Sequence, residues 1–159
     1  GWVNCLVYSP CGKFFASGRY GTIKVWNMET QECMTLKGHT SSVYCLAYSP
    51  CGKFLVSAGH DAKVKLWNLN TRECMTLEGH SGWVLCVEFS ACGEFLASGG
   101  CDGKIKVRNL KTQACMTLEG HVDGVCCVRF SSCGRMIQSV SRKEVKSWYL
   151  GPVIKINKT

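Results

Sequence analysis

One segment of this chain returns at a fixed interval, and that recurrence limits the fold more than any other feature. His39, His80 and His121 each follow a glycine and stand 41 residues apart. Leu36-Lys37-Gly38-His39 returns as Leu77-Glu78-Gly79-His80 and Leu118-Glu119-Gly120-His121. Cys33-Met34-Thr35-Leu36 returns as Cys74-Met75-Thr76-Leu77 and Cys115-Met116-Thr117-Leu118. Ser9-Pro10-Cys11-Gly12-Lys13-Phe14 returns as Ser49-Pro50-Cys51-Gly52-Lys53-Phe54, and more loosely at Ser90 to Phe95 and Ser131 to Met136. From Trp2 to about Ile156 the chain is four copies of one unit. A period near forty residues means units that bury their apolar faces only against neighbours.

The second copy predicts four short strands: Val43 to Tyr48, Phe54 to Ala58, Lys63 to Trp67 and Glu73 to Leu77. Ser-Pro-Cys-Gly, Gly-His-Asp-Ala, Asn-Leu-Asn-Thr and Gly-His-Thr-Ser supply the turn chemistry between them. Short strands at even spacing, with no helical period in any window, predict an all-β array.

These residues carry a family resemblance. A period of 41, four strands per unit, Gly-His before the first and Trp-Asn closing the third resemble the WD-repeat β-propeller family over almost the whole chain. The resemblance implies antiparallel four-stranded blades, approximately 1–38, 39–79, 80–120 and 121–159, as part of a larger propeller. The chain departs from the family pattern in places. The Trp-Asp pair reads Trp26-Asn27, Trp67-Asn68, Arg108-Asn109 and Trp148-Tyr149. Cys11, Cys51, Cys92 and Cys133 stand where an Asp is usual.

The resemblance also implies a buried hydrogen-bonded chain of His, Ser, Asp and Trp in each blade. The second copy has all four: His39, Ser57, Asp61 and Trp67. The third has His80, Ser98 and Asp102, but Arg108 replaces Trp, so its network is expected to be incomplete or to reach solvent. The fourth has His121, Ser139 and Trp148, with Arg142-Lys143 in a turn one residue short. The first has Ser17 and Trp26, with Tyr20 near the Asp position. Its Gly-His would precede Gly1; together with the missing initiator Met, this suggests a fragment cut mid-unit.

Composition sharpens the functional reading. Apolar residues make up 46% and charged residues 19%, an ordinary globular balance. No run approaches the ~20 apolar residues of a membrane span, and no leader pattern opens the chain. Thirteen cysteines raise the question of a disulfide scaffold. Eleven are three repeat positions: Cys5, Cys45, Cys86 and Cys127; Cys11, Cys51, Cys92 and Cys133; Cys33, Cys74 and Cys115. Only Cys101 and Cys126 stand apart. The Cys-x5-Cys pairs run along an extended strand, too far apart to bridge at ~3.3 Å per residue. No Cys-x-x-Cys spacing suggests zinc. The first set is therefore expected to pack as small hydrophobes, the turn set to be exposed and oxidation-prone, and the chain to suit a reducing compartment, cytoplasmic or nuclear.

No catalytic, metal or cofactor site is expected. The repeated histidines hold one structural position, and Gly99-Gly100-Cys101-Asp102-Gly103 lies between strands as a hairpin, not at a helix N-terminus as a phosphate loop would. His60 reads as an exposed contact residue. The formal charge of +8 fits repeated solvated lysines first, then an acidic protein partner, then nucleic acid. The leading function is a non-catalytic scaffold for protein or peptide partners; the alternative is a basic subunit associated with nucleic acid or ribonucleoprotein. The resemblance places top-face contacts three and five residues after the repeat His and just before the turn Asp. These are Ser42, Tyr44 and His60; Trp83, Leu85 and Cys101; Gly124 and Cys126; and, by aligning Val3 with Val43, Trp2, Asn4 and Arg19. Trp2, Tyr44 and Trp83 are expected to cluster. Four copies are expected to form an open arc with apolar terminal faces that favour self-association, Pro152 to Ile156 completing the last blade.

Overall fold

The structure is a computed structural model and describes residues 2–151. Its strands are β1 (Cys5–Tyr8), β2 (Phe14–Gly18), β3 (Tyr20–Asn27), β4 (Cys33–Tyr48), β5 (Phe54–Gly59), β6 (Val64–Asn68), β7 (Cys74–Leu77), β8 (Val84–Phe89), β9 (Phe95–Gly100), β10 (Ile105–Asn109), β11 (Cys115–Leu118), β12 (Val125–Phe130), β13 (Met136–Ser141) and β14 (Val145–Tyr149). Every pairing is antiparallel between successive strands.

The repeated turns explain this regularity. Gly12, Gly52, Gly93 and Gly134 sit at φ of 71°, 72°, 74° and 69°. A side chain is disfavoured there, so one glycine in each copy sets the first hairpin. In each turn the preceding serine accepts the N–H of the residue that opens the next strand: Phe14, Phe54, Phe95 and Met136. The asparagine that ends the third strand of the first three copies closes the next turn. Asn27, Asn68 and Asn109 each accept backbone N–H groups two and three residues on, which needs only a side-chain oxygen.

The strands expected in the second copy appear within a residue of their expected ends, with one correction. Gly38-His39-Thr40-Ser41 is not a turn, because β4 runs unbroken through it. The hairpin at Arg19 is short, with Arg19 N bonded to Thr22 O, and this brings Tyr20 opposite Ser42. β4 therefore ends one sheet and begins the next. The sheets are β1–β2–β3–β4, β4–β5–β6–β7, β8–β9–β10–β11 and β12–β13–β14.

The sheets stack face to face in series, and three apolar clusters seal the joints. Ala16, Ile23, Val25 and Leu36 meet Val43, Tyr48, Leu55 and Trp67. Val56, Ala58, Val64 and Leu77 meet Val84, Val87, Phe89 and Leu96. Ala97, Ile105 and Val107 meet Val125, Val128, Ile137 and Leu150. The stack is open among the described residues: no apolar cluster joins the last sheet to the first, and Leu6 and Tyr8 are exposed.

The two free faces differ: the first is apolar as expected, and the last mixes exposed Met136, Val145 and Tyr149 with a polar row. The first sheet exposes Leu6 and Tyr8. The last exposes Arg129, Gln138 and Ser147, which stand opposite one another across β12, β13 and β14. The matching row is Val7–Ala16–Val25 in the first sheet and Ala47–Val56–Leu66 in the second. The last face thus has a polar middle, with Val145 and Tyr149 exposed beside it. Pro152 to Ile156, expected as its fourth strand, lie outside the described residues.

Candidate functional site

A buried relay of hydrogen bonds ties the second, third and fourth sheets internally. In the second sheet Trp67 Nε1 donates to Ser57 Oγ at 2.8 Å, and Ser57 Oγ lies 2.8 Å from His39 Nε2. His39 Nδ1 lies 2.7 Å from Asp61 Oδ2. A carboxylate only accepts, so Nδ1 carries the proton and Nε2 accepts from the serine hydroxyl. Asp61 also receives the N–H groups of Thr40 and Lys63. Burial pushes the Asp61 carboxyl up, but the Thr40 N–H and His39 outweigh it and hold the group below its ordinary value. Burial holds His39 below the usual imidazole value, against Asp61. Every polar group of the relay has a partner, which a buried network requires.

The third sheet keeps His80 with Ser98 at 2.8 Å and with Asp102 at 2.9 Å. Arg108 does not complete it. Its guanidinium donates instead to Glu78 O at 2.7 Å, and a small cavity remains among His80, Ser98, Leu96, Val64 and Arg108. In the first sheet Ser17 is buried, and no histidine reaches it among the described residues.

The same hairpins present a second set of residues at the rim. His60 N donates to Ser42 O, and Cys101 N to Trp83 O. The residue before the turn Asp is thereby tied to the one three places after the repeat His. Between Val43 and Cys45, between Val84 and Cys86, and between Val125 and Cys127 the ladder slips by one. The extra residues are Tyr44, Leu85 and Cys126. A β-bulge takes its extra residue out of the ladder and re-aims it, which is why these positions face away from the blade's own pairing.

The bulged residues meet their neighbours across the sheet joints. Tyr44 lies edge-on to His60 at 6.1 Å and to Trp83 at 6.2 Å, and the His60 and Trp83 rings are 4.2 Å apart. Ser41 Oγ is 3.3 Å from His60 Nδ1. Trp83 is 46% exposed, while Tyr44 and His60 are half-buried. At the next joint, a Cβ placed on Gly124 would lie 3.2 Å from Cys101 Cα and 3.7 Å from Leu85 Cδ1. The strip runs from Tyr44 to Gly124. Cys126 is exposed, with its thiol on Val140 O. Trp2 does not join the cluster: it is 90% exposed and has no ring partner among the described residues. Asn4 N bonds Gly18 O beside the first hairpin, and Arg19, in the β2–β3 hairpin, accepts Val43 N with its carbonyl.

The sequence pattern described as WD domain, G-beta repeat matches residues 1–27, 30–68, 71–109 and 112–148. The chain belongs to the WD-repeat family. No curated relative matches it. WD-repeat domains generally mediate protein–protein interaction or scaffolding and are typically non-catalytic. The all-β sheet stack is accordingly a partial propeller, and each sheet is a blade.

Two further features of this WD-repeat chain emerge from the structure, the first of which escaped the sequence reading. In the fourth blade His121 meets Ser139 at 2.7 Å, and Trp148 Nε1 donates to the same oxygen at 2.7 Å. Arg142 and Lys143 do not serve as the missing acid. Glu144, from the far side of the shortened turn, brings Oε1 to 3.2 Å from His121 Nδ1. The approach is off the hydrogen-bonding direction, and both atoms stay unsatisfied. The available signal was the position: Glu144 replaces Lys63 and Lys104, which pair with Glu78 and Glu119.

The second feature is the grading of the thiols. All thirteen cysteines are free. Cys5, Cys45, Cys86 and Cys127 are half-buried rather than sealed. Cys5 and Cys86 reach carbonyls of the next blade, Val43 O and Val125 O at 3.6 Å. Burial pushes Cys5 up to about 11 and Cys86 up to about 12, and raises Cys45 as well. The turn set is exposed. Cys11, Cys51 and Cys133 are lowered by the adjacent serine hydroxyls, then by the N–H groups of Lys13, Lys53 and Arg135. A thiol there occupies the acceptor position that the family usually gives to Asp.

Proposed function

We propose that this chain is a non-catalytic scaffold that holds a protein or peptide segment on the rim formed by Tyr44, His60, Trp83, Leu85 and Cys101. The observation that carries the reading is the aromatic cluster Tyr44–His60–Trp83, assembled from two blades by a bulge and left partly open to solvent. Large aromatics that are anchored yet accessible are the side chains enriched at binding hot spots. His60 and Ser41 add polar groups beside them. Trp2, Asn4 and Arg19 would extend the same surface over the first blade.

The basic charge supports a protein partner better than nucleic acid. Lys65 and Lys106 are turned onto Thr76 and Thr117, Lys146 onto Gly120 O, and Lys63 and Lys104 onto Glu78 and Glu119. The cations are thus distributed over blade rims and engaged locally. Thirteen free thiols suit a reducing compartment.

Selection from a peptide-display library on the immobilised chain tests the reading. Enriched peptides should lose binding to Trp83→Ala and Tyr44→Ala, while both variants keep the parent melting temperature within a few degrees. Undiminished binding to both variants, or unfolding of both, would sink the assignment.

A further inference from the structure

We propose that a groove on the second blade, at the end of the sheet opposite the Tyr44–Trp83 rim, takes an arginine side chain from a protein partner. The groove has a volume of about 470 Å³ and is lined by Phe54, Leu66, Asn68, Glu73, Cys74 and Met75. Phe54 opens β5 and Asn68 ends β6, whereas His60 follows the far end of β5. Leu66 packs at the joint with the third blade, so the site belongs to an inner joint of the stack. Phe54, Leu66 and Met75 give it an apolar floor, and Met75 is 46% exposed. Glu73 is the charged member of the lining, and its Oε2 accepts the Thr71 hydroxyl at 2.9 Å. An apolar floor beside a carboxylate suits a long cation, whose methylene stem covers apolar surface while its head pairs with the acid.

The molecule itself shows such a cation in place. The first blade carries the matching groove, about 450 Å³ in volume, with Phe14, Val25, Asn27, Glu32, Cys33 and Met34 at the corresponding positions. Arg72, from the second blade, completes its lining. Met34 is half-buried there, in contrast to the exposed Met75.

The second groove lacks this occupant for a visible reason. The third-blade counterpart of Arg72 is Gln113. Both residues hold a left-handed backbone, at φ of 64° and 63°. Both donate their N–H to the carbonyl of the turn asparagine, Asn68 O for one and Asn109 O for the other. Gln113 is the shorter side chain, and its Nε2 donates to Leu110 O at 2.9 Å within its own turn. It is therefore folded back, and the groove beside Glu73 stays open. An arginine supplied from outside would take the place that Arg72 takes one joint earlier. A guanidinium fits better than an ammonium, because its plane stacks on an aromatic ring and its fork matches a carboxylate. The third blade has Ala114 where Glu32 and Glu73 stand, so its own strand offers no acid for the same contact.

Titration with N-acetyl-arginine amide, followed by the NMR methyl signals of Met34, Met75 and Met116, tests this. The Met75 signal should shift and saturate, while Met34 and Met116 stay in place. Arg72→Gln, which copies Gln113, should vacate the first groove and make Met34 respond as well. Glu73→Gln should weaken the Met75 response several-fold, and Trp83→Ala, at the rim, should leave it unchanged. A Met75 signal that never moves, a Met34 or Met116 signal that responds as strongly in the parent, a Met34 signal still silent in Arg72→Gln, or a Glu73→Gln variant that titrates like the parent would each overturn the proposal.

Discussion

The second blade turns Leu46, Ser57, Lys65, Thr76, Tyr48, Leu55, Trp67 and Cys74 toward the first, and the first carries Leu6, Ser17, Lys24, Thr35, Tyr8, Phe15, Trp26 and Cys33 on its outer face, with only Ser17 buried. Position by position the two sets differ only at Leu55 and Phe15. Yet Tyr48 is 9% exposed and Tyr8 59%. Residue type therefore does not decide what is core in a repeat array; the neighbour does. The first blade repeats the second blade's pattern, and no described residue covers it.

Removing apolar volume breaks the comparison most severely. Leu55 is fully buried, so Leu55→Ala should cost ~2–5 kcal/mol through lost contacts and the remaining cavity. Phe15→Ala, at the matching half-buried position, should cost well under half as much. Urea unfolding of both variants measures the difference, and equal losses would mean that the first blade's face is covered after all.

The relay offers the next contrast. Trp67 is 3% exposed and donates to Ser57, so Trp67→Phe should cost roughly 1–3 kcal/mol. Arg108→Trp goes the other way. It would fill the cavity beside Ser98 and give that hydroxyl the donor it lacks, adding up to about 1 kcal/mol by thermal melting.

The relay also fixes the response to acid. Asp61, Asp102 and His39 all bind protons more weakly in the folded state than their ordinary values. The unfolded chain then takes up more protons, so stability falls as pH drops. His39 contributes its loss first, below the ordinary imidazole value near 6.5, and the aspartates follow below about 4. A melting temperature that rises on acidification from neutral pH would contradict this ordering.

The smallest effect concerns backbone strain. Ala62 holds φ 60°, where Gly21 and Gly103 stand in the first and third blades at 67° and 72°. Ala62→Gly should stabilise by up to about 1 kcal/mol, and a loss of stability would show that the Ala62 methyl packs usefully.

The repeat made the architecture readable in the sequence, because copies that agree expose the framework and copies that differ expose the rest. The family resemblance then named His39, Ser57, Asp61 and Trp67 in one copy and placed Tyr44, His60 and Trp83 among the contact positions. The continuity of β4 could not, because it arises from a turn one residue short at Arg19 acting on Ser42, twenty-three residues later. Glu144 was hidden for a related reason: a deletion moved the nearest acid to the other side of the hairpin. The polar row Arg129–Gln138–Ser147 was present in the sequence but has meaning only once register sets the three side by side.

Hydroxyl-radical footprinting read by mass spectrometry tests the central comparison most directly. In dilute solution Tyr8 should be modified many times faster than Tyr48. Equal rates for the two tyrosines in dilute solution would contradict the claim that the same surface is core in one blade and free in the next.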